Sequence, residues 1–160
     1  MTTSAASPQP PDRENWLAIL ERSTQEVFEI VLGCQLTPVA PSQEKQKGGF
    51  TAIVGLAGAL CGVVTVCCGA QSADQIAKGM LGEPTVSPRQ IADALGEICN
   101  MVAGNFKNKL AGTDEQCMLS VPTIISGGQY SLHSVADGHS WESVLLFVDA
   151  PIIVRLQLQH

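Results

Sequence analysis

The sequence predicts an α+β fold in one domain, with a largely antiparallel β-sheet packed by long α-helices. Three observations support this prediction. Apolar residues recur every three to four positions in helix-length segments, strand-length runs of β-branched residues occur in two groups, and turn residues separate the runs within each group. Runs of strands with hairpin-like connections favour an antiparallel sheet with helices packed against it. At 160 residues and 45% hydrophobic composition, the chain can form one domain with a substantial core.

The N-terminal part predicts a tail followed by a helix. Residues 1–11, Met1–Pro11, are rich in Ser, Thr, Gln and Pro without apolar periodicity, so we expect a disordered tail and a folded domain over residues 12–160. A helical pattern begins at Asp12, and its first aromatic residue, Trp16, is expected in the core rather than in a binding site. The apolar positions of this helix are Trp16, Ile19, Leu20, Val27, Ile30 and Val31.

The next segments predict a loop, two strands and a short helix. Polar, Gly-terminated residues 42–49 predict the loop, residues 50–56 and 60–68 the strands, and residues 72–81 the helix. Adjacent residues on a strand point to opposite faces of a sheet, so Cys67 and Cys68 are expected on opposite faces.

The second half of the chain predicts four more strands, over residues 117–125, 129–135, 143–149 and 152–159. Asp137 and Gly138 indicate a turn, and Ala150 and Pro151 indicate a break. The last strand alternates cleanly between apolar and polar residues. We expect that such a terminal strand can lie at a sheet edge, where it can also pair with a second chain.

A long helix is predicted to begin at Pro88. Ser87 suits the N-cap position, Pro88 the first helical position, and Gln90 completes a capping box with Ser87. At about 100° per residue, one apolar stripe runs along more than four turns of this helix and is expected to face the core. It consists of Ile91, Leu95, Ile98, Val102 and Phe106.

The opposite stripe of this helix is polar and contains Asp93, Glu97, Asn100, Gly104 and Lys107. A Gly within a helix costs about 1 kcal/mol relative to Ala, and Asn is also a poor helix former, so helix stability does not account for these choices. The structural alternative is that the stripe is only the solvated side of an amphipathic helix. The functional alternative is that it offers an acid and an amide to another molecule.

The spacing within this stripe resembles a known signature. Three residues separate Asp93 from Glu97, two separate Glu97 from Asn100, and 21 separate Asn100 from Pro122. This pattern, together with the sequence DALGEICNMVAGN that ends at Asn105, is similar to that of the CheC and CheX chemotaxis phosphatases. CheC-like members carry two copies of the acid and amide motif. The chain shows one, which is typical of CheX-like members.

The resemblance implies a function and a role for each residue. The family removes the phosphoryl group from the aspartyl phosphate of the response regulator CheY. By resemblance, Asn100 positions the attacking water and Glu97 contacts an active-site lysine of the regulator. Asp93 extends the contact or orients the helix, Gly104 and Lys107 belong to the partner-binding surface, and Pro122 shapes the strand or turn beside the helix.

The resemblance also implies partners. We expect a phosphorylated CheY-like receiver domain as the substrate, Mg²⁺ supplied by that receiver domain rather than by a cofactor site of this chain, and a homodimer formed through sheet contacts. A second hypothesis keeps the same surface without catalysis, as a receiver-binding or scaffold module like the related flagellar-switch proteins. A third is a structural domain whose acidic stripe is only solvated.

Charge and motif content exclude other classes. The formal net charge is −6 and no Lys or Arg cluster occurs, which disfavours nucleic-acid binding. No apolar run reaches about 18 residues and no apolar leader is evident, so we expect a cytoplasmic protein without a membrane span. No phosphate-binding Gly-rich loop and no Cys-x-x-Cys pair occurs, so we expect neither a nucleotide site nor a metal site. The six cysteines are expected to be reduced and mostly buried.

Overall fold

The computed structural model describes residues 13–40, 49–110, 117–127 and 138–159. Within these residues seven strands form one antiparallel sheet in the order β1-β6-β7-β3-β2-β4, and β5 also pairs with β2. This confirms the predicted α+β class. The strands are β1 (Thr37–Val39), β2 (Gly49–Gly58), β3 (Gly62–Gly69), β4 (Cys117–Leu119), β5 (Thr123–Gly127), β6 (Gly138–Phe147) and β7 (Ala150–Gln159).

Three helices accompany the sheet: α1 (Arg13–Leu32), α2 (Ala70–Leu81) and α3 (Pro88–Lys109). Local sequence explains where two of them start or stop. Gly82 ends α2 in the left-handed conformation, which glycine adopts without steric cost. Ser87 and Gln90 form the predicted capping box at the start of α3, with the Gln90 N–H donating to Ser87 Oγ at 3.2 Å and the Ser87 N–H donating to Gln90 Oε1 at 2.8 Å.

One hydrophobic core joins the helices to the sheet. Alternate residues of β2, β3 and β7 are buried, as a half-covered antiparallel sheet requires. Trp16 lies in this core, as predicted, and its ring centroid is 5.2 Å from that of Trp141. The largest fully buried side chains are Phe28, Phe106, Leu20, Ile76, Leu95, Ile98, Leu110, Leu145, Ile152, Leu156, Val54 and Val64.

The burial of the cysteines agrees with the predictions only in part. Cys68 is buried and Cys67 is half-buried, consistent with the predicted alternation. All six cysteines are free thiols, but only Cys68, Cys99 and Cys117 are buried. Cys61 is exposed, so the expectation of mostly buried thiols is correct for half of them.

The prediction of one continuous strand over residues 117–125 is wrong. The chain leaves the strand at residues 120–122, between β4 and β5, while both strands pair with β2. At Gly55 of β2 the backbone N–H donates to the Ser120 side chain at 2.7 Å instead of to a strand carbonyl. Pro122 has no N–H to offer to a ladder. A side-chain hydrogen bond therefore replaces a ladder bond at this position.

The prediction of an edge position for residues 152–159 is also wrong. β7 pairs with β3 on one side and with β6 on the other. The break is at Val148 and Asp149, a two-residue connection between the paired residues Phe147 and Ala150, and not at Ala150–Pro151. The predicted tail 1–11, loop residues 42–48 and strand 129–135 lie outside the described residues.

Candidate functional site

The core-facing contacts of α3 fix which side of the helix is exposed. The Cys99 thiol donates weak hydrogen bonds to the Ala52 and Val64 carbonyls of β2 and β3, at 3.5 Å each. Burial raises the pKa of Cys99 to about 12, so the thiol stays neutral. Cys99 precedes Asn100, and anchoring the thiol to the sheet therefore sets the direction in which the next side chain leaves the helix.

The predicted polar stripe lies on one accessible side of α3. Asp93 and Glu97 are exposed, and Asn100, Gly104 and Lys107 are half-buried. In the part of the chain that the structure describes, the side chains of Asp93, Glu97 and Asn100 have no hydrogen-bond or ion-pair partner. The structure thus brings the carboxylates and the amide together, with their polar atoms free for another molecule.

The side of α3 that faces α1 behaves differently. Asn105 Nδ2 donates to the Ser23 carbonyl at 3.3 Å and to Glu26 Oε2 at 3.0 Å. Lys109 Nζ lies 2.8 Å from the same Glu26 oxygen, and Arg22 Nε lies 3.3 Å from Glu26 Oε1. These donors, with the Lys109 hydrogen bond as the main cause, lower the pKa of Glu26 to about 2. This cluster ties the last turns of α3 to α1.

The segment between β4 and β5, residues 120–122, borders the polar stripe. We call it the connector. The Ser120 N–H donates to the Gly55 carbonyl at 2.9 Å, and Ser120 Oγ accepts from the Gly55 N–H. At the other end Pro122 lies against α3, since a Cβ added to Gly96 would be 3.3 Å from Pro122 Cβ. Both ends of the connector are therefore held, one by the sheet and the other by the helix.

Gly96 is the site residue that sequence reasoning missed. It is buried beneath Pro122 and Ile124, and a side chain there would push both away by a few tenths of an ångström. Gly96 and Gly104 lie four residues before and after Asn100, so one row of the helix carries no side chain on either side of the amide. That symmetric spacing of two glycines around Asn100 is the signal in the sequence that identifies Gly96.

Gly104 has room for a side chain, whereas Pro122 packs against α3. A Cβ added to Gly104 would have its nearest neighbour, Leu119 Cδ1, at an ordinary contact distance of 3.8 Å. Contact of Gly104 or Lys107 with a partner stays a prediction. Pro122 lies beside the helix, in the short segment between two strands. Its contact with Gly96 gives a physical reason for its place in the signature.

Other kinds of site are not seen in the described part of the chain. Across residues 13–40, 49–110, 117–127 and 138–159, no three His, Cys, Asp or Glu residues are grouped as metal ligands would be. No helix within these ranges has both the length and the apolar character needed to cross a membrane.

Comparison with known proteins decides the family. The family model described as chemotaxis phosphatase CheX matches residues 50–144, which is more than half of the chain. The chain belongs to the CheX family. The matched segment contains α3, the connector and the strands that hold them. A search of curated protein sequences finds no significant match.

Solved CheX structures have the same fold. A CheX from Desulfovibrio desulfuricans is similar over 91% of this chain and 99% of its own, with 23% identity and a TM-score of 0.78. For Vibrio vulnificus CheX the coverages are 99% and 100%, with 20% identity and a TM-score of 0.77. A Borrelia burgdorferi CheX, solved in complex with CheY, BeF₃ and Mg²⁺, is similar over 92% and 100%, with 20% identity and a TM-score of 0.76. At these identities the likeness concerns the fold.

Proposed function

We propose that this member of the CheX family hydrolyses the aspartyl phosphate of a CheY-type receiver domain. The observation that carries the proposal is the exposed stripe of α3, where a carboxylate and an amide lie one turn apart without partners in the described chain. Unpaired polar groups on a rigid helix are available to a partner without first breaking internal hydrogen bonds. The Borrelia burgdorferi CheX of the same fold was solved with CheY bound, which supports this class of partner.

Asn100 is the proposed water-positioning residue. Hydrolysis of an acyl phosphate needs a water in line with the bond that breaks, and positioning and charge stabilisation supply most of the acceleration. The amide oxygen accepts a hydrogen bond from the water, and the amide N–H donates to a phosphoryl oxygen. The water oxygen bonds to phosphorus, the bond to the aspartyl oxygen breaks, and the carboxylate leaves with the bonding electrons, while the protons of the water stay with the inorganic phosphate that forms.

Glu97 is the proposed anchor. It lies one turn before Asn100, and a free carboxylate there would repel a phosphoryl group unless a cation lay between them. An active-site lysine of the receiver domain supplies that cation and fixes the register of the two proteins. Asp93 extends the anionic surface by a further turn, and Gly104 and Lys107 extend the contact towards the other end of the helix.

The receiver domain also supplies the metal in this proposal. The exposed stripe offers only two carboxylates, Asp93 and Glu97, and the part of the chain that the structure describes shows no cluster of three metal-binding side chains. Mg²⁺ bound by the receiver would offset the phosphoryl charge during the reaction.

We further propose that the protein is a homodimer. β7 cannot form the expected dimer contact, because both of its edges already pair with strands of the same chain. A better candidate is β6. Its residues 144–146 pair with β1, but no described strand pairs with residues 138–143 on that side. A molar mass of one subunit in light scattering would contradict the dimer.

The test of the enzymatic proposal follows the decay of a receiver domain phosphorylated by acetyl phosphate. The wild-type protein should accelerate the decay, whereas Asn100→Ala should return it to the receiver's own rate. Equal acceleration by the parent and Asn100→Ala would contradict the mechanism. Binding of a beryllofluoride-activated receiver without any turnover would instead support the alternative, a non-catalytic receiver-binding or scaffold module.

A further inference from the structure

The connector presents an unusually exposed apolar side chain next to the proposed site. Val121 is 85% exposed, which is the largest exposed fraction among the large apolar side chains of the described residues. Single exposed apolar residues are common on protein surfaces. What distinguishes Val121 is its position between two residues that are both held in place.

The contacts of the residues around Val121 place it close to the level of Asn100 along α3. Leu119, two residues before Val121, lies beside Gly104, and Pro122, the next residue, lies beside Gly96. These glycines are one turn after and one turn before Asn100, or about 6 Å along the helix axis in each direction. The connector therefore passes Asn100 between the two contacts.

The connector is also held rigidly. Ser120 exchanges two hydrogen bonds with Gly55 of β2, at 2.9 and 2.7 Å, and Ser120 Oγ lies 3.1 Å from the Val121 carbonyl. Pro122 has a fixed φ and packs on Gly96. An apolar side chain on such a segment loses little backbone freedom when a partner covers it.

The size of a protein interface indicates what covers Val121. A specific interface buries about 800 Å² per partner, which corresponds to a radius of roughly 15 Å around its centre. A helix and the element that packs on it are separated by about 10 Å. An interface of this size centred on Asn100 would therefore also cover the connector.

We propose that Val121 is an apolar contact for the receiver domain and contributes affinity without taking part in the chemistry. This inference rests on the proposed function and extends the binding surface from α3 to the connector. The receiver domain would offer an apolar patch next to its phosphorylated aspartate. Exclusion of water by the Val121 contact would also strengthen the ionic contact of Glu97, which anchors the receiver domain.

The test compares Val121→Asp with Val148→Asp. Val148 is 59% exposed in the turn between β6 and β7, which lie three and two strands away from β2 in the sheet, and it receives the same substitution. Calorimetry gives the Kd for a beryllofluoride- and Mg²⁺-loaded receiver domain, and decay of the phosphorylated receiver gives kcat and KM. We expect Val121→Asp to raise Kd and KM about tenfold or more, with kcat within about twofold of wild type. Val148→Asp should change none of these.

The outcomes separate this inference from the proposed function. Equal Kd values for the two Asp variants would overturn the role of Val121, while a loss of turnover in Asn100→Ala would still support the phosphatase. A wild-type protein that binds the receiver without hydrolysis would contradict the enzyme but still allow the Kd comparison to test Val121. If the wild-type protein binds no receiver, both proposals fail. Dissociation of a dimer by Val121→Asp in light scattering would mean that a second copy of this chain covers Val121, which also overturns the inference.

Discussion

The two sides of α3 use the same residue types for different purposes. On the side facing α1, Asn105 and Lys109 bind the Glu26 carboxylate and the Ser23 carbonyl. On the side beside the connector, Glu97 and Asn100 have no such partner in the described chain. An acid and an amide near a lysine therefore do not by themselves indicate a function. Polar groups of α3 that contact another element of the same molecule stabilise the fold, and those that contact none are available to a partner.

The largest expected effect comes from comparing the two asparagines. Asn100→Ala should lower the turnover of a phosphorylated receiver domain by about a hundredfold or more, because it removes groups that position the water and donate to the phosphoryl oxygen. Its unfolding free energy should stay equal or rise slightly, since Ala is the better helix former. Asn105→Ala should keep its turnover but lose about 1 kcal/mol of unfolding free energy. Urea denaturation and phosphate release measure the two quantities.

Loss of stability in Asn100→Ala, or loss of turnover in Asn105→Ala, would contradict this comparison. A destabilised Asn100→Ala protein would mean that Asn100 serves the fold through contacts that the described residues do not show. An Asn105→Ala protein with wild-type stability but reduced turnover would indicate that the active site lies on the other side of the helix.

The second comparison concerns the glycines on either side of Asn100. Gly104→Ala should stabilise the protein by up to about 1 kcal/mol, because the added Cβ finds an ordinary contact and Ala favours the helix. Gly96→Ala places a Cβ 3.3 Å from both Pro122 and Ile124, so the gain in helix propensity is offset by displacement of the connector. We expect Gly96→Ala to be about 1 kcal/mol less stable than Gly104→Ala in urea denaturation. Equal stabilities would mean that the connector shifts freely.

The third comparison uses pH. The pKa of Glu26 is lowered from 4.5 to about 2 in the folded protein, so its contribution to stability is present above about pH 4.5 and is lost as the pH falls towards 2. The Glu26→Gln variant should therefore lose less thermal stability than wild type between pH 5 and pH 3, measured by circular dichroism at about 0.1 M salt. Glu97→Gln is the matched control and should retain the wild-type loss over this range. Parallel curves for Glu26→Gln and wild type would contradict the Glu26 cluster.

The smallest expected effect distinguishes the two lysines near the end of α3. Lys109→Met should lower stability by a few tenths of a kcal/mol up to about 1, as expected for a partly exposed ion pair. Lys107→Met should leave stability unchanged and raise the KM for the receiver about two- to threefold if Lys107 belongs to the partner-binding surface. An unchanged KM would remove Lys107 from that surface.

The sequence predicted α3 and its polar stripe well because their signals are local. The capping box lies within four residues, and the separation of apolar from polar positions depends only on the pitch of the helix. The same holds for the α+β class, since strand-length runs and turns are also local patterns. The family signature also pointed to Pro122, although no local sequence pattern shows that Pro122 lies beside α3.

The wrong predictions concern contacts between distant residues. Residues 117–125 have the composition of one strand, but the side chain of Ser120 binds Gly55, which belongs to another strand. β7 has the alternating pattern of a half-exposed strand in either an edge or an interior position, so its pattern does not indicate its neighbours.

The amino-acid sequence was enough to establish which residues share each face of α3, because helical periodicity assigns faces without reference to the rest of the chain. The packing of the elements then left Asn100 accessible while α1 binds Asn105, and it brought Pro122 against Gly96. Whether a polar group finds a hydrogen-bond partner within the molecule depends on which element packs against it. That is a property of the assembled sheet and helices rather than of the helix alone.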